Sequence, residues 1–186
     1  MTAAAARAIA GSLAPEPALD RPDLLAEPVA AALRALPAEQ AADCLVAAID
    51  PELADTAAFC AAYGSPLEAS ANCVVVAGAR SGERRYAACV VLATTRADVN
   101  TVVRRRLDVR KASFAPMDEA VALTGMAYGG ITPFGAPADW PVLVDTAVLA
   151  TPAVVVGSGV RASKLLVPGA VLGELPGAEA TEGLGR

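Results

Sequence analysis

Two valine-rich runs, Asn72–Ala77 and Tyr86–Leu92, constrain the fold most. β-Branched residues with no alternating polar partner read as strands covered on both faces. The residues between them, Gly78-Ala79-Arg80-Ser81-Gly82-Glu83, predict a long hairpin loop. Shorter runs follow at Cys44–Ile49, Ala112–Phe114, Val142–Val144, Ala153–Val156 and Lys164–Val167, most of them bounded by proline, glycine or aspartate. Helices are predicted at Asp23–Leu36 with Pro28 in the first turn, and at Asp55–Ala62, closed by Gly64. Two more are predicted at Asp98–Leu107 and from Pro116 to Leu123, the latter stopped by Gly125. Strands and helices are interleaved, but the helices are too few for a doubly wound sheet. The expected class is α+β, with a compact, mixed, curled sheet flanked by helices.

Composition narrows the chemistry. The 186 residues suit one domain, and 55% are apolar, yet only 4% are aromatic and alanine supplies much of the rest. There is no histidine. That removes a Ser-His-Asp triad, a Cys-His dyad and a histidine-ligated zinc. The cysteines Cys44, Cys60, Cys73 and Cys89 form no C-x-x-C pair, so they read as small buried hydrophobes. No apolar run approaches the roughly 18 residues of a membrane span, and the first residues hold no convincing signal peptide. A cytoplasmic location is expected. Residues 1–40, with fourteen alanines and five prolines, read as an extension whose first part is mobile. Residues 171–186 read as a flexible tail.

Charge is uneven. Residues 80–111 carry nine cations and three anions, a local +6 in a chain of net −5. This segment holds Arg104, Arg105, Arg106, Arg110 and Lys111. It suits either a solvated face or a patch for nucleic-acid phosphates. Few aromatics are available for base stacking. Only two lysines occur, Lys111 and Lys164.

Three segments lie beside strand ends: Thr124–Gly135 and Val156–Gly159, which bear glycines, and Val142–Asp145, which ends on an aspartate. Glycines there let backbone amides line a pocket. The Gly-x-x-x-Pro pattern from Gly129 to Pro133, the later Gly157-Ser158-Gly159, and Arg110-Lys111-Ala112-Ser113-Phe114-Ala115 together resemble the YbaK family. These are single-domain aminoacyl-tRNA deacylases related to the editing insertion of bacterial prolyl-tRNA synthetase. The resemblance covers roughly residues 50 to 170, and 41–170 is the expected domain.

The resemblance implies a barrel-like sheet and a trans-editing hydrolase with no metal and no cofactor. The substrate would be the acceptor end of a mischarged aminoacyl-tRNA. An aminoacyl-tRNA synthetase is the further partner it allows; no membrane or DNA partner is expected. Gly129 and Gly130 would position the ester and a water. Ile131, Thr132, Pro133, Gly157, Ser158 and Gly159 would line the site. Arg104, Arg105, Arg106, Arg110 and Lys164 would meet the tRNA. In such a mechanism a terminal ribose hydroxyl would assist, so histidine would not be needed, and backbone amides would stabilise the oxyanion.

One position departs from the family. Its signature lysine falls at Asn72, a neutral amide. Three readings stay open: Lys111, the nearest match, or Lys164 supplies the charge; Asn72 marks a different substrate; or the protein binds without hydrolysing. Asp145 either orients a substrate amino group or caps the turn that follows. Alternation places Cys73 opposite Asn72, toward the core.

Overall fold

In the computed structural model, which describes residues 3–186, the two valine-rich runs pair antiparallel from Ala71 opposite Leu92 to Arg80 opposite Glu83. Met1 and Thr2, at the head of the expected extension, lie outside the described residues. The predicted long loop is instead a two-residue turn. Ser81 and Gly82 have φ of 52° and 84°, the backbone that lets a tight turn follow strand twist. Gly78 belongs to the strand. A Cβ there would lie 2.5 Å from Val109 Cγ2 and 2.9 Å from the Lys111 carbonyl oxygen, so this glycine marks a close approach rather than a loop.

The chain opens with helix α1 (Ala3–Ala8), strand β1 (Glu16–Pro17), helices α2 (Glu27–Ala35) and α3 (Ala38–Ala42), strand β2 (Leu45–Ala48) and helix α4 (Thr56–Tyr63). The hairpin follows as β3 (Ala71–Arg80) and β4 (Glu83–Leu92). A wide helical turn, Val99–Val103, runs into α5 (Arg104–Arg106), then β5 (Ala112–Phe114) and α6 (Met117–Thr124). The remainder is β6 (Val142–Asp145), α7 (Thr146–Ala150), β7 (Val154–Gly157), β8 (Ser163–Val167) and β9 (Ala178–Thr181). Helix ends sit where their chemistry predicts. The Asp55 carboxylate accepts from the Ala57 and Ala58 amides to start α4, and Gly64 and Gly125 close α4 and α6 at φ of 70° and 66°.

The class is mixed α+β, but the strands form two sheets rather than one curled, barrel-like sheet. Their orders are β1-β2-β8-β7 and β5-β3-β4-β6-β9. In the second, β4–β6 and β6–β9 are parallel and the remaining pairs antiparallel. An isolated bridge from Ser70 to Val155 of β7 joins the sheets. Strand alternation explains the layering. Val154, Val156, Leu165 and Val167 share a core with Val90, Val142 and Val144 of the other sheet, completed by Val29 and Leu33 of α2. Val155 and Leu166 point the opposite way, into a second core with Ala6 and with Phe59 of α4. The far face of the second sheet buries Val76, Cys89 and Leu143 against Val103, Leu107 and Val109. Each buried valine or leucine contributes about 1.5–3 kcal/mol, so strands apolar on both sides demand cover on both sides.

The described residues of both terminal segments pack against the fold. From Ala3 on, the N-terminal segment packs, with Ala6 and Ala10 buried. Residues 178–181 pair in parallel with β6. Leu184 is fully buried, and the Arg186 and Arg96 backbones exchange two hydrogen bonds. The unpaired edge of β6 offers main-chain donors and acceptors, and this weak β-former takes them up.

Candidate functional site

Where β3, β7 and β8 approach the start of α4 and the glycine loop, they enclose a cavity of about 960 Å³. Of the residues singled out from the sequence, Asn72, Gly129, Ile131, Gly157 and Lys164 line it. Lys111, Gly130, Thr132, Pro133, Asp145, Ser158, Gly159, Arg104, Arg105, Arg106 and Arg110 do not.

The glycine segments are locked to each other through the backbone. The Gly159 N–H donates to the Gly130 carbonyl at 2.7 Å, and the Ala127 N–H donates to the Gly159 carbonyl at 2.8 Å. A Cβ on Gly157 would lie 2.3 Å from the Gly130 oxygen and 2.7 Å from the Ile131 oxygen. The Gly130 N–H is itself bonded to the Ala127 carbonyl at 2.9 Å, so Gly130 holds the loop and has no amide to offer a substrate. Gly129, at φ 83°, is exposed at the cavity. Ser158 is fully buried; its hydroxyl meets the Ser163 hydroxyl at 2.7 Å and donates to the Ser163 carbonyl at 3.1 Å. It ties the loop to β8.

Lys111 is exposed and outside the cavity. Lys164 lines it. On β8 it stands opposite Gly157 on one side and Ala47 on the other, sharing a face with Leu166. Only 7% of it is exposed. Its ammonium donates to the Ala54 carbonyl at 2.7 Å and lies 5.7 Å from the Phe59 ring centroid. Burial pulls its pKa below the ordinary 10.5; nearby Asp55 pulls it up and Arg161 pulls it further down.

Asn72 accepts a 2.8 Å hydrogen bond from the Thr56 hydroxyl through Oδ1. Arg161 is a second cation on the cavity wall that sequence reasoning passed over. Its guanidinium donates to the Tyr128 carbonyl at 3.2 Å and the Pro51 carbonyl at 3.0 Å, bridging the glycine loop to the approach of α4. A Cβ on Gly129 would fall 2.6 Å from its Nη1. The available signal was its place two residues beyond Gly-Ser-Gly. Thr56, Tyr128 and Phe114, also missed, sit at a helix start, beside the glycine loop and at a strand end.

Asp145 serves the fold. It accepts from the Ala147 amide at 2.8 Å and the Gly185 amide at 2.7 Å, capping α7 and tying down the last residues. Cys73 lines the cavity, contrary to simple alternation, while also packing on the core. Burial pushes its thiol up to about 12, so it stays protonated at neutral pH. Part of the basic segment is spent internally. Arg106 pairs with Glu179, Arg84 with Glu119 and Arg80 with Asp108. Among the described residues, no cluster of metal-binding side chains forms and no helix is long and apolar enough to cross a membrane.

A family model described as an aminoacyl-tRNA editing domain matches residues 50–175. The chain belongs to the aminoacyl-tRNA editing domain family. Membership implies aminoacyl-tRNA as the substrate class. Solved structures share the fold. A candidate trans-editing enzyme for prolyl tRNA synthetase superposes with a TM-score of 0.68 at 21% identity, over 84% of this chain and 94% of that one. The hypothetical protein APE2540 gives 0.62 at 21% identity, over 72% and 85%. A structure from work on epitope backbone grafting by computational design gives 0.67 at 22% identity, over 87% and 96%. No curated protein matches the chain. The editing-domain match begins just before α4 and ends just after β8, so it spans every wall of the cavity.

Proposed function

We propose that this editing domain is a freestanding aminoacyl-tRNA deacylase whose active site is the cavity between the glycine loop and α4. One observation carries the reading: a buried ammonium, Lys164, lines the same cavity as Asn72 and the Gly129 loop. The charge absent from Asn72 on β3 is supplied from β8.

In this reading the ester of the acceptor-end adenosine rests against Gly129 and Ile131. Their amides make no hydrogen bond within the described residues. Water attacks the ester carbonyl carbon, and negative charge grows on the carbonyl oxygen. The Lys164 ammonium and the loop amides stabilise that charge. Asn72, its carbonyl held by Thr56, donates its NH₂ toward the water or the ester. The carbon–oxygen bond to the ribose then breaks. The water's proton passes to the departing ribose oxygen by way of the neighbouring ribose hydroxyl, so no protein base is required. The products are a free amino acid and an uncharged tRNA. Arg105 and Arg110, exposed on the basic segment, are the phosphate contacts of this proposal, whereas Arg106 is engaged with Glu179.

The test is release of labelled amino acid from a panel of mischarged tRNAs, including alanyl-, seryl- and cysteinyl-tRNA. Release above the buffer rate for at least one pairing is expected. The neutral Asn72 favours a second reading, a module that binds the acceptor end without turnover. Salt-sensitive binding with no release from any member of the panel would establish that reading instead.

A further inference from the structure

The chain has seven aromatic residues, and the structure leaves two of them in the open. Phe114 is 61% exposed and Tyr128 59%. Both line the cavity, as do Met117 and Leu67, which are 55% and 40% exposed. Four of the six large apolar side chains left exposed among the described residues therefore ring one opening. The cost of exposing them is concentrated where a ligand must pass.

This rim is built. Phe114 sits on β5 with its backbone paired to Val76, and the next amide, Ala115, donates to the Val75 carbonyl at 2.8 Å. The Tyr128 carbonyl is held by Arg161. Two aromatic residues are thus carried on fixed main chain, with a guanidinium bonded to the backbone of one of them. Flat apolar faces next to a cation suit an unpaired nucleobase and its phosphate.

We infer that Phe114 and Tyr128 form the stacking platform for the unpaired nucleobases at the tRNA 3′ end, with Arg161 toward their phosphates. The inference rests on the deacylase-or-binder reading of the cavity. If the aminoacyl ester lies inside, beside Lys164, the nucleoside that carries it must emerge through this opening. The occupant is a nucleobase rather than a second protein because the opening leads into a cavity holding two cations, Lys164 and Arg161, on a chain otherwise net negative.

The experiment measures affinity, independently of turnover, for an uncharged RNA minihelix ending in the unpaired tRNA 3′ sequence and for the same minihelix with that sequence removed. Wild type is expected to prefer the intact end. Phe114→Leu and Tyr128→Leu keep apolar bulk but lose the ring, and each is expected to weaken intact-end binding by roughly 5- to 100-fold. Neither should alter binding of the truncated helix, and Tyr128→Phe should bind as wild type does. Equal wild-type affinity for the two helices would overturn the inference. So would leucine variants that bind as wild type, or a Tyr128→Phe variant as weak as Tyr128→Leu. Absence of amino-acid release from charged tRNA, with these affinities intact, would remove the deacylase reading and leave the platform standing.

Discussion

Replacing Lys164 with methionine separates the roles of the ammonium in folding and in chemistry. Holding a cation at 7% exposure costs several kcal/mol in desolvation. A charge-assisted bond to the Ala54 carbonyl at 2.7 Å returns about 1.5–3 kcal/mol. The Phe59 ring at 5.7 Å returns about 0.5–2 kcal/mol. These opposing contributions nearly cancel. Methionine keeps the length of the side chain and removes the charge, while the Ala54 carbonyl loses its donor. Lys164→Met is therefore expected to unfold in denaturant within about 1 kcal/mol of wild type, or slightly above it. Amino-acid release should fall by about 10²- to 10³-fold, the usual effect of losing one donor aimed at a developing oxyanion. The pH dependence gives a second signature. The folded-state pKa lies below 10.5, so the folded chain holds this proton less tightly than the unfolded chain. The folded-state penalty is complete below the folded pKa and is relieved as pH climbs toward 10.5. Any stability gained by the methionine variant is thus largest in acid and shrinks as pH rises. A variant destabilised by more than about 3 kcal/mol whose folded fraction releases amino acid at the wild-type rate would refute the reasoning and make Lys164 a structural anchor.

Four further outcomes follow from the geometry. Gly157→Ala places a methyl 2.3 Å from one backbone oxygen and 2.7 Å from another; neither can rotate away. It should cost about 1–3 kcal/mol in a thermal melt and lower release further than the lost stability accounts for. Asp145→Ala removes two hydrogen bonds to backbone amides. It should cost about 1–3 kcal/mol and speed hydrogen exchange at Gly185, with KM for the tRNA unchanged. Cys73→Ser should retain release, because a thiol raised to about 12 is no nucleophile at neutral pH. Lys111→Gln should also retain it, since that side chain is exposed away from the cavity; a large loss would return Lys111 to the site.

Much of the fold was legible because the local chemistry agrees with it. The strand cores, the Asp55 and Asp98 caps and the glycine stops at Gly64 and Gly125 follow from residue type alone. What misled was tertiary. Gly78 has the composition of a loop but is a strand residue crowded by Val109. The tail after residue 170 has little β propensity and is strand because the β6 edge was open. At the site, the loops are visible as motifs, yet which lysine faces the cavity is not. Lys111 is the closer match along the sequence. Lys164 faces the cavity because the register of β8 against β7 sets it opposite Gly157. Register is decided across the sheet, and no single run of sequence contains it. Likewise Phe114 and Tyr128 are unremarkable residues until the fold brings two distant segments to one opening.

The two glycine segments meet through carbonyls, amides and the spaces that missing Cβ atoms leave. Such a junction is blind to side-chain identity, provided the glycines stay. The cavity wall is also lined by small apolar side chains, such as Ala71, Val75, Ala120 and Val156. Exchange of one small apolar residue for another at these places would resize the chamber without touching that junction. On the proposed deacylase reading, such exchanges would alter which amino acid the chamber accepts while leaving the glycine junction intact.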